Sequence, residues 1–104
     1  MQSDMGQQMR IKIMGKYWEL RFVPNLKNHG DIDPPSKPKK AIRIKSTLVG
    51  AIELETIIHE IVHAGNWHLD EEFVEPFCHD LARILWKLGY RNKTRINKVH
   101  NHDR

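Results

Sequence analysis

Apolar and polar positions alternate between residues 9 and 23. Met9, Ile11 and Ile13 are interleaved with Arg10 and Lys12; past Gly15, Trp18, Leu20 and Phe22 are interleaved with Tyr17, Glu19, Arg21 and Val23. A period of two sends successive side chains to opposite faces of a strand. The stretch therefore predicts two short strands forming a hairpin around Gly15. The run "NLKNHGDIDPPSKPKK" has no period and carries three prolines and a glycine, so it reads as a loop. Alternation returns in "AIRIKS", where Ile42 and Ile44 share a face, and predicts a third strand.

The period then changes. From Val49 to Ala64 the apolar residues Ala51, Ile52, Leu54, Ile57, Ile58, Ile61 and Val62 recur at helical spacing. Ser46 or Thr47 is placed to cap this helix, and Gly65 with Asn66 to end it. Asp70 is placed to cap a second helix, with Glu71 and Glu72 favourable at its positive end. Its expected buried stripe is Val74, Phe77, Cys78, Leu81, Ile84, Leu85 and Leu88, and Gly89 stops it. Pro76 falls too deep for a first turn and predicts a kink or a late start. The expected fold is α+β: a small antiparallel three-stranded sheet followed by two antiparallel helices. Residues 9–90 form one domain, 1–8 a frayed polar start and 91–104 a basic tail.

Composition narrows the function. A chain of 104 residues supports one small core, so a bound metal could matter for stability as well as chemistry. One cysteine, Cys78, excludes an intrachain disulfide and a multi-cysteine zinc knuckle; within the apolar stripe it reads as a small core residue. No apolar run approaches about 18 residues and no secretory signal is visible, which predicts a cytoplasmic protein without a membrane span. Lys and Arg outnumber Asp and Glu 17 to 13. They cluster at Lys37, Lys39, Lys40, Arg43 and Lys45 and again from Arg91 to Lys98, a distribution that predicts at most weak, salt-sensitive nucleic-acid contact.

The chemistry concentrates in "TIIHEIVHAG". His59 and His63 are one helical turn apart on one face, about 6 Å along the axis, a spacing that lets two imidazoles bind one zinc ion. Glu60 is rotated by about 100° from its neighbouring ligand and is free to act as a general base on a zinc-activated water. This is the metalloprotease reading of a His-Glu-x-x-His motif. The short connection "GNWHL" brings the end of the first helix to the start of the second, so the third ligand is expected there. With Glu71 at 0°, the buried stripe runs from about 220° to about 340°, Glu75 falls near about 40° and Glu72 near about 100°. Glu71, bordering the stripe, is the expected ligand; Glu75 is the reserve and Glu72 the least favoured. His68, nine residues after His59, is a further alternative.

The segment "TIIHEIVHAGNWHL" followed by "DEEFVEPFCHDLARILWKLGY" resembles the small zinc metallopeptidases of the gluzincin type, near the SprT-like and ImmA/IrrE-like groups, with short phage-encoded members the nearest likeness. The likeness spans roughly residues 9–90, and its specific part is His59, Glu60 and His63. It implies a minimal protease scaffold in which a sheet edge holds an extended peptide beside the active helix. It also implies a cytoplasmic setting, the host's if the chain is phage-encoded. Those ImmA/IrrE-like groups carry a glutamate three residues before a small apolar residue, as Glu71 stands before Val74. The oxyanion-stabilising residue stays open among Tyr17, Tyr90 and His68.

Bland roles suffice for the other singled-out residues. Trp18, Trp67 and Trp86 are expected to pack in the core or at its rim, His79 to be solvated, and Asp31 and Asp33 to serve a turn; His100 and His102 lie in the tail. The leading expectation is a zinc-dependent metallopeptidase acting on a peptide or protein. The competing one is a zinc-stabilised binding module without turnover, associated with nucleic acid. Glu60 separates the two, because a closed structural site has no use for a base.

Overall fold

A computed structural model describes residues 8–93. Expectations for residues 1–7, for the tail beyond residue 93 and for His100 and His102 lie outside the described residues, while Gln8, expected in the frayed start, is the first residue of a strand. Strands β1 (Gln8–Ile13) and β2 (Lys16–Val23) form the hairpin, paired antiparallel from Gln8–Arg21 to Ile13–Lys16. Met14 and Gly15 close it with φ of 51° and 81°. Two successive left-handed residues match the right-handed twist of the strands they join. Trp18, Leu20 and Phe22 turn inward, with Ile11 and Ile13 packed against them.

The sheet has four strands and is mixed, which corrects the expectation of three antiparallel ones. β3 (Gly30–Ile32) lies inside the stretch read as a loop, and β4 (Ala41–Lys45) sits between β2 and β3, giving the order β1-β2-β4-β3. β4 runs parallel to β2, from Glu19–Ala41 to Val23–Lys45, and antiparallel to β3. Parallel neighbours need a long crossover, and residues 24–40 supply one, with β3 formed on the way. Ala41, Ile42 and Ile44 are buried because β4 is flanked on both sides.

Asp33 ties the crossover down. Its carboxylate accepts hydrogen bonds from the Ala41 N–H (3.0 Å) and from Arg43 Nη2 (2.7 Å), and its carbonyl accepts one from Trp18 Nε1 (3.2 Å). Arg43 also pairs with Asp31 at 2.6 Å. These bonds hold the Asp33 carboxyl at about 2, well below its ordinary value, the Arg43 bond being the largest cause. Asp31 and Asp33 thus brace β3 against β4 across the cross-strand pair Asp31–Arg43.

Helix α1 (Gly50–Gly65) packs on the sheet through Ile57 and Ile61, while Glu53, Thr56, Glu60 and Ala64 form its most buried line. Its N-cap is Val49, without a side-chain cap bond, so neither Ser46 nor Thr47 fills that place. Helix α2 (Glu71–Lys87) packs against α1 and passes through Pro76 without interruption. The expected late start is absent: proline removes one N–H, and the carbonyl it leaves open is that of the exposed Glu72. Asp70 is the N-cap, but it acts through its carbonyl, which accepts from the Phe73 and Val74 N–H groups.

The buried face of α2 also differs from the expected stripe. Val74, Cys78 and Ala82 are buried, whereas Phe77, Ile84 and Leu88 are exposed, and Phe77 stacks on Phe73 at 5.1 Å. Small side chains line the inner face, where two helices meet closely. His79 is not merely solvated: its Nδ1 lies 3.3 Å from Glu55 Oε1, which also pairs with Arg83. Trp18 is fully buried, Trp86 is half-buried under the Arg91 guanidinium, and Trp67 stands at the surface. Burial pushes the Cys78 thiol up and suits a passive core role. Among the described residues no helix is long and apolar enough to cross a membrane.

Candidate metal centre

Contacts between α1 and α2 descend along one helix as they ascend along the other: His63 and His59 meet Glu71, and Glu55 meets His79 and Arg83. The helices are therefore antiparallel, joined by residues 66–70. In that connection Asn66 accepts hydrogen bonds from the Leu69 and His68 N–H groups, through its carbonyl and side-chain oxygen respectively. The chain reverses within five residues, which sets the last turn of α1 beside the first turn of α2.

That reversal gathers three donors. Glu71 Oε2 lies 2.7 Å from His63 Nε2, and Glu71 Oε1 lies 3.3 Å from His59 Nε2. The imidazole centroids are 4.9 Å apart. One ligand atom from each residue falls within 4.8 Å of the others, so His59, His63 and Glu71 could hold a metal ion. Ligand bonds of about 2.0–2.2 Å at tetrahedral angles separate donors by roughly 3.4 Å; Glu71 and His59 stand at 3.3 Å, whereas Glu71 and His63, at a hydrogen-bond distance of 2.7 Å, must part to admit an ion. Two imidazoles with one carboxylate and no thiolate form a donor set suited to a divalent transition-metal ion.

Glu75 and Glu72 are exposed and stand outside this group, as does His68. Glu75 instead lines a hollow of about 510 Å3 beside the triad, together with Asn28, His29, Gly30, Glu55, Thr56, His59, Glu60 and Glu71. Tyr17 and Tyr90 do not line it. Tyr17 lies beneath the Arg10 guanidinium, 3.9 Å from its ring centroid, and Tyr90 is exposed. His29 and Asn28, in the stretch expected to be a loop, are further polar groups on the wall of this hollow. The signal available was "HGD", a glycine where the backbone would come close to something.

Glu60 is 8 % exposed and faces the hollow without a hydrogen bond or ion pair among the described residues. Burial, reinforced by the negative charges of Asp31 and Glu71, raises its carboxyl to about 7. A group titrating near neutrality can both take and return a proton there. Its burial comes from β3. A Cβ added at Gly30 would stand 2.8 Å from Thr56 Cγ2, 3.0 Å from the Arg43 carbonyl oxygen and 3.3 Å from Glu60 Oε2. Glycine is the residue that lets this edge strand lie against α1.

The basic segment is partly engaged within the fold. Arg43 is held by Asp31 and Asp33, Lys37 pairs with Asp33 at 3.4 Å, and the Lys40 ammonium lies 5.1 Å from the Trp18 ring centroid. Compared with known proteins, the chain matches no family model, no curated protein and no solved structure.

Proposed function

We propose that this protein is a zinc-dependent peptidase in which His59, His63 and Glu71 hold the metal and Glu60 is the general base. The observation carrying this reading is the pairing of a three-donor cluster with a buried carboxylate that has no partner among the described residues and opens onto a hollow also lined by His59 and Glu71. Zinc bound there would supply the Lewis acidity that makes water a nucleophile near neutral pH. Glu60 takes the proton released as water attacks the peptide carbonyl and returns it to the departing amine. Among the described residues β3 is an edge strand, and its Gly30 lines the hollow, so a substrate main chain could hydrogen-bond along its open edge beside the site.

The open hollow weighs against a purely structural zinc site, which closes its coordination with protein ligands. Glu60→Gln keeps the shape and all three metal ligands. The variant should retain about one zinc per chain while hydrolysis of a peptide library falls by about a hundredfold or more. Zinc retention with undiminished turnover would remove Glu60 from the mechanism. Zinc binding without turnover in the unaltered protein would favour the binding-module reading.

A further inference from the structure

The triad is flanked by a second hollow of different chemistry. It measures about 330 Å3 and is lined by Ile32, His63, Trp67, Leu69 and Glu71. Its walls away from the two candidate ligands are apolar, and Trp67 is 38 % exposed there although it is a large aromatic. The first hollow is lined by Glu55, Glu60, Glu71 and Glu75. Three of these carboxylates have assigned work: Glu55 is held by Arg83 and His79, Glu71 faces the two imidazoles, and Glu60 is the buried base. Glu75 makes no hydrogen bond or ion pair among the described residues. It stands one helical turn beyond Glu71 on the wall of the hollow.

Strand β3 crosses both. Gly30 lines the acidic hollow and Ile32 the apolar one. Residues two apart on a strand are separated by about 6.6–7 Å, so an extended peptide beside β3 passes from one hollow to the other within a few residues, with the triad between. Resting on the peptidase reading, we infer that the site selects peptides with a Lys or Arg side chain on one side of the scissile bond, received by Glu75, and a large apolar side chain on the other, received by Trp67, Leu69 and Ile32. Glu75 is exposed on the wall of the hollow and meets no cation among the described residues, which leaves its charge open to a substrate cation. The exposed Trp67 gains buried area only when something apolar covers it.

The test uses the zinc-loaded full chain and a library of random octapeptides with blocked ends, with cleavage sites read by mass spectrometry. Enrichment of Lys or Arg at one subsite and of Phe, Leu, Ile or Met at another is expected. Glu75→Gln should reduce the basic preference by about fivefold, as suits an exposed ion pair, and Glu75→Lys should turn it towards acidic residues. Trp67→Ala should flatten the apolar preference and leave the basic one. Cleavage with no preference at either subsite, or a basic preference unaltered in both Glu75 variants, overturns the inference and leaves the peptidase reading standing. If nothing is cleaved, the same library is selected on immobilised zinc-loaded Glu60→Gln protein. Retention of basic, apolar-flanked peptides then sustains the recognition inference while the peptidase reading falls, and unselective retention overturns both.

Discussion

Glu71 Oε2 lies 2.7 Å from His63 Nε2, across a connection of only five residues between two helices. The same carboxylate reaches His59 with its other oxygen, so one side chain joins both imidazoles. Removing it should therefore matter more to metal binding than removing any neighbouring acid. Glu71→Ala is expected to weaken zinc affinity by at least about a hundredfold. Glu75→Ala should bind zinc as the unaltered protein does. Competition with a chelating dye measures both, and equal affinities for Glu71→Ala and the unaltered chain would place the third ligand elsewhere.

Metal should also hold the helices together. A ligand that binds only the folded state at about a hundred times its Kd adds about 2.7 kcal/mol. For a domain of this size that corresponds to a rise in Tm of roughly 10–20 °C. Chelation should lower Tm by that order in the unaltered protein and by little in His59→Ala. A Tm insensitive to chelator in a protein shown to contain zinc would mean the metal sits outside the folded core.

The Asp33–Arg43 pair makes an acid-side prediction. The Asp33 carboxyl is depressed to about 2, chiefly by the Arg43 hydrogen bond. A depressed carboxylate contributes stability that is fully present above its unfolded value near 3.8 and is lost as pH falls through the folded value of about 2. A shift of that size would correspond to about 2.5 kcal/mol if unscreened; solvent around the exposed partners Lys37 and Asp31 reduces it to on the order of 1 kcal/mol. Asp33→Asn should be less stable than the unaltered protein at pH 6, and the gap should narrow between pH 4 and 2. Urea midpoints across that range test it; a constant gap would show that the carboxyl contributes through shape and not through charge.

Legibility in the sequence followed the strength of the local period. The β1–β2 hairpin and both helices were readable because alternation and helical spacing are distinct over those runs. β3 was not, since three residues cannot display a period and its ladder comes wholly from β4. The parallel pairing of β2 and β4 was hidden for the same reason: a crossover looks like a loop until the strand it passes through is known. On α2 the large residues misled. Phe77 and Ile84 are more apolar than Cys78 and Ala82, yet close approach to α1 selects the small side chains. The convergence of Glu71 on His59 and His63 was legible, because connection length and helix rotation constrain it. Asn28 and His29 were not, as their place depends on β3.

The hairpin turn holds an improvable residue. Met14 has φ of 51° and is 78 % exposed, so its side chain gains little packing in return for a left-handed backbone. Asparagine tolerates that conformation, and Asn-Gly is the favoured pair for a two-residue turn of this hand. Met14→Asn should stabilise the protein by about 0.5–1 kcal/mol. A denaturation midpoint that falls would show that Met14 makes a contact outweighing the strain.

Gly30 is where fold and proposed chemistry meet most closely. An added Cβ would sit 2.8 Å from Thr56 Cγ2, closer than a real Cβ contact comes, and 3.0 Å from the Arg43 carbonyl oxygen, a tight contact that requires a small shift. β3 has one neighbouring strand and is three residues long, so it gives way more readily than β4 or α1. Gly30→Ala should therefore displace β3 from α1, with a loss of about 1–3 kcal/mol. Thr56→Ser removes the nearer obstacle and keeps the hydroxyl that donates to the Ile52 carbonyl at 2.8 Å. The double variant should recover part of the loss, since the Arg43 carbonyl remains in the way, and a double-mutant cycle measures that coupling. Zinc content should be unchanged in every variant, because His59, His63 and Glu71 all stand on α1 and α2, while peptide hydrolysis falls in Gly30→Ala as Glu60 loses its cover. Full additivity of the two substitutions would show that Thr56 is not what Gly30 avoids. Undiminished hydrolysis in Gly30→Ala would show that the approach of β3 is not needed to set Glu60 in place.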